Sequence, residues 1–61
     1  MKTIKLINSK DGWLARFLND PEVLLAFGTD TIPTPYRETA SPLMVKAEIE
    51  KRNPNHYVCF A

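Results

Sequence analysis

The chain has 61 residues, of which 44% are hydrophobic and 25% charged, with a formal net charge of +1. That length holds one domain, residues 1–61, which buries only about 60% of the surface its unfolded form exposes, so it must pack tightly or associate to be stable. The composition speaks against a disordered segment and the near-neutral charge against a dedicated duplex binder, while a single cysteine and a single histidine exclude an internal disulfide and a Cys/His zinc site within one chain.

The N-terminal stretch "MKTIKLINSK" builds no apolar leader core, because Lys5, Asn8 and Ser9 interrupt it. No apolar run approaches the roughly 20 residues of a membrane helix. The expected setting is the cytoplasm, with no membrane partner and Cys59 as a reduced thiol.

Residues 3–7, "TIKLI", place Ile4 and Leu6 on one face and Lys5 on the other, the period of a half-buried strand. Asp11-Gly12 then supplies a turn in which glycine takes a positive φ without steric cost. "WLARFL" follows, with Trp13, Ala15 and Phe17 pointing one way and Leu14, Arg16 and Leu18 the other, and the aromatic side should face the core.

The segment "PEVLLAF" at 21–27 admits two readings. Asp20 as a helix cap, Pro21 at the first position and Gly28 past the end describe a two-turn helix. Periodicity does not arbitrate over so short an apolar run. The expectation here is a third strand after an "NDPE" turn, since a lone hairpin is marginal without another strand or a helix.

Residues 28–42, "GTDTIPTPYRETASP", hold one glycine and three prolines. Pro33 and Pro35 favour an extended path but lack the spacing of an SH3 ligand. Gly28 is expected to close an element, Ile32 and Tyr36 to plug the sheet edge, and the prolines to lower the entropy lost on ordering a long connection. A connection this long without regular structure is uncommon in a compact domain, which points to Tyr36 and Arg37 as partner-binding side chains.

Ser41-Pro42 opens a helix, "LMVKAEIEKR" fills it and Asn53-Pro54 ends it, with Glu48 and Arg52 spaced for an ion pair. Stepping about 100° per residue, the helix carries two apolar stripes: Leu43, Met44 and Ala47, and, on the other side, Val45 and Ile49. One should cover the sheet. Val45 and Ile49 are expected either to be that core stripe or to form a partner surface. "HYVCF" closes the chain as a strand, with Tyr57 and Cys59 on one side and His56, Val58 and Phe60 on the other. The fold class is therefore α+β, an antiparallel or mixed single-layer sheet with one helix packed on it, in the order β-β-β-α-β.

Little in this sequence supports catalysis. In a strand His56 and Cys59 point to opposite faces, no carboxylates form a close pair, and neither glycine begins a phosphate cradle. No enzyme activity and no cofactor are expected. A protein-interaction module, self-associating through Val45 and Ile49 with Tyr36 and Arg37 as further contacts, is the leading expectation. The alternative is a weak nucleic-acid binder using Lys5 and Arg16, joined by Lys2 and Lys10, on the outer face of the first hairpin. Trp13 and Phe17 on the core face weigh against it.

Overall fold

The computed structural model describes residues 2–61, which form an α+β fold: a four-stranded mixed sheet and two helices. Strand β1 (Lys2–Ser9) buries Ile4 and Leu6 and exposes Lys5, following its alternation. It pairs antiparallel with β2 (Gly12–Leu18), placing Ile4 opposite Phe17, Leu6 opposite Ala15 and Asn8 opposite Trp13. Between them Ser9 braces the turn, its hydroxyl donating to the Gly12 carbonyl at 2.7 Å and accepting the Asp11 N–H at 3.2 Å.

Residues Pro21–Phe27 are a helix, α1, and not the strand expected from the sequence. Its ends decide the matter. The Asp20 carboxylate accepts the Val23 N–H at 3.4 Å, Pro21 occupies the first position, and Gly28 takes the left-handed conformation (φ 72°) so that its N–H reaches the Leu24 carbonyl at 2.8 Å. These bonds satisfy terminal backbone groups that a strand here would have to pair elsewhere.

The third strand, β3 (Thr31–Pro33), lies inside the proline-rich stretch and pairs antiparallel with β2, Ile32 opposite Ala15. Helix α2 (Pro42–Arg52) follows, beginning after Ser41 and ending where Asn53 donates its N–H and its side-chain amide to the Ile49 carbonyl. The ion pair on it is Lys46–Glu50 at 3.1 Å, where Glu48–Arg52 was expected. Strand β4 (His56–Phe60) then runs parallel to β1. The element order is β-β-α-β-α-β and the sheet order β3-β2-β1-β4.

The core is the layer between α2 and one sheet face: Ile4, Leu6, Trp13, Ala15 and Val58 from the sheet, Val45 and Ile49 from the helix. Phe17, Tyr36 and Ala40 close its margin. Helix α1 contributes no buried residue. No helix is long and apolar enough to cross a membrane among the described residues.

Candidate functional site

The residues expected to bind a partner fall into different environments. Val45 and Ile49 are core: Val45 is fully buried and Ile49 is 7% exposed, so neither offers a surface to another molecule. Their stripe, and not Leu43/Met44/Ala47, faces the sheet because it meets the apolar residues of β1, β2 and β4.

Tyr36 and Arg37 separate. Tyr36 is half-buried against the core, its carbonyl accepts the Trp13 N–H at 3.0 Å, and its own N–H is held by the Thr34 hydroxyl at 3.3 Å. Arg37 is exposed, and its carbonyl takes the Ala40 N–H in a turn. The stretch that carries them is an edge of the sheet: Phe17 donates to the Asp30 carbonyl at 2.7 Å, and Thr34 donates to the Trp13 carbonyl from both its N–H (3.0 Å) and its hydroxyl (2.6 Å). A groove of about 160 Å³ lies between this stretch and α2, walled by apolar side chains with Arg52 at its rim. That is smaller than the ~300–1,000 Å³ of small-molecule sites.

Lys5 and Arg16 are brought together as register partners on the sheet face away from α2. Arg16 is partly neutralised, its Nε 3.6 Å from the Asp30 carboxylate. Lys2 does not join them, because it lies on the opposite face, opposite His56, with its Nζ 3.7 Å from Asp20. One aromatic side chain, Tyr57, shares the face with this pair. Two cations and one ring make a thin platform for stacked bases.

Sequence reasoning missed the polar cluster at Asp20. This acid is 8% exposed; Oδ2 lies 3.2 Å from His56 Nε2, Oδ1 accepts the Val23 N–H, and Lys2 is close by. Its carboxyl is held below the ordinary carboxylate range chiefly by the His56 hydrogen bond, with the Val23 N–H and the Lys2 charge adding to it and desolvation opposing. The His56 ring packs edge-on against Phe17 with centroids 5.7 Å apart, and its Nδ1 is buried without a partner. No ring nitrogen is presented to a substrate, and Cys59 lies on the other sheet face, so the cluster fastens α1 to the sheet. No three His, Cys, Asp or Glu side chains converge among the described residues.

The exposed surface is rich in large apolar side chains. Leu24, Leu25 and Phe27 on α1 are 52%, 88% and 65% exposed, and Leu43, Met44, Tyr57 and Phe60 also face solvent. The signal for α1 was present in "VLLAF", apolar on every side in a helix with only one polar side chain, Glu22. No family model, no curated protein and no solved structure matches the chain.

Proposed function

We propose that the chain is a protein-interaction module without chemistry of its own, and that it works as a homo-oligomer. The supporting observation is the balance of its apolar side chains: among the described residues seven make up the buried core, and seven large ones are exposed. Scattered exposed leucines are ordinary, but a 61-residue chain gains little stability from its core and pays heavily for apolar surface left in water. Association covers that surface. The test is native mass spectrometry and sedimentation of the purified chain over a wide concentration range. A concentration-dependent dimer or higher oligomer is expected; a monomer throughout would overturn the self-association.

A further inference from the structure

Helix α1 and the groove between the proline-rich stretch and α2 complement each other. A seven-residue helix is too short to hold itself together in water, and α1 contributes no buried residue to the chain that bears it. Leu24 lines a hollow with Phe17, whereas Leu25 is 88% exposed. Glu22 stands three positions before Leu25, one turn away on the same face, and is the only charged side chain of α1.

The groove presents the other half. Phe17, Ile32 and Tyr36, each half-buried, wall its space of about 160 Å³. An apolar cavity of ~150 Å³ takes up a single benzene ring, so this groove has room for one leucine-sized side chain. Arg52, exposed at the rim, is the only charged side chain that lines it. Neither Arg52 nor Glu22 forms an ion pair among the described residues.

Resting on the self-association proposed above, we infer that the groove receives α1 of a second copy: Leu25 of one chain fills the groove of the other, and Glu22 pairs with the Arg52 at its rim. A second copy fits because the one charge on the helix is opposite in sign to the one charge on the groove. The contact also closes on itself. Phe17 lines both the groove and the hollow at Leu24, so helix and groove adjoin on one side of the molecule. A two-fold axis through that side lets each copy give its α1 and receive the other's, which stops the assembly at a dimer.

The experiment measures dimerisation by sedimentation for the wild-type chain, for Glu22→Arg, for Arg52→Glu and for an equimolar mixture of the two variants. Each variant alone sets like charges together at both contacts and should weaken the dimer about tenfold or more, with an unchanged far-UV spectrum. In the mixture every contact sets opposite charges together again, so a heterodimer should form with about wild-type affinity. Leu25→Ala, which empties the groove at both contacts, should also weaken the dimer about tenfold or more. Undiminished dimers of the variants, or a mixture that associates no better than its components, overturn the α1 contact and leave self-association standing. A wild-type chain that is monomeric throughout overturns both.

Discussion

Trp13 and Tyr36, twenty-three positions apart in the chain, are joined through their backbones: the Trp13 N–H donates to the Tyr36 carbonyl at 3.0 Å. Thr34 completes the clasp with two bonds to the Trp13 carbonyl. The proline-rich stretch is therefore bound to β2 along its length from Asp30 to Tyr36, and Tyr36 is occupied mainly in holding that edge and plugging the core.

Gly12 is the residue that lets the clasp close. A Cβ there would lie 2.7 Å from the Tyr36 carbonyl oxygen, and φ is +109°. Gly12→Ala should cost about 1–3 kcal/mol, read as a lowered urea midpoint, because the neighbour is backbone and has to move. Gly28→Ala also meets a positive φ, 72°, but nothing lies within 4 Å of its Cβ, so the loss should be smaller. Equal losses at the two sites would show that the close approach to Tyr36 is not what requires glycine.

Asp20 makes stability fall in acid. Its folded pKa is lowered from 3.8 chiefly by the His56 hydrogen bond, so its contribution is present above that unfolded value and is lost as pH falls through the lower folded one. Wild type should therefore lose stability on acidification below about pH 4, the ordinary carboxylate range, more steeply than Asp20→Asn, which is less stable than wild type at neutral pH. Denaturant unfolding across pH 2 to 7, about that range, reads both; parallel pH profiles for the two proteins would dismiss the role of Asp20.

The two stripes of α2 differ in what they support. Ile49→Ala removes a side chain packed between β1, β2 and β4 and should cost about 2–5 kcal/mol, enough to unfold much of so small a domain. Leu43 is 75% exposed, and Leu43→Ala should change the stability of the monomer by about 0.5 kcal/mol or less. Thermal unfolding of dilute samples checks the contrast, and comparable losses would mean that Leu43 is covered even in the single chain.

What could be read from the sequence was whatever repeats locally. The alternation of Ile4 with Leu6 and of Trp13 with Ala15 and Phe17 matches the core face, and the Ser41-Pro42 and Asn53-Pro54 boundaries match α2. The misreadings share one cause. Helix α1 is a short apolar run in which period 2 and period 3.6 are indistinguishable, so only the Asp20 and Gly28 caps carry the information. Strand β3 has three residues and a proline, too few to alternate, and exists because β2 presents unpaired groups to it. Asp20 and His56 meet across 36 positions through a pairing of β4 with β1 that no local pattern announces.

The prolines of the opening between α1 and α2 have a consequence for assembly that follows from the edges of the sheet. With Pro33 and Pro35 on its free side and the Thr31 N–H held by the Thr29 hydroxyl, β3 offers no free N–H there to an added strand. Replacing both, Pro33→Thr with Pro35→Thr, restores two outward N–H groups to a strand whose pairing with β2 uses other residues. The folded unit should persist, since neither substitution removes a bond to β2, but copies should now add to one another along β3 into larger species. Light scattering and sedimentation distinguish the outcomes. A variant whose assembly state matches wild type would show that the edge is shielded by something other than its prolines, and one that remains folded but forms larger species would assign to "IPTP" the task of closing that edge.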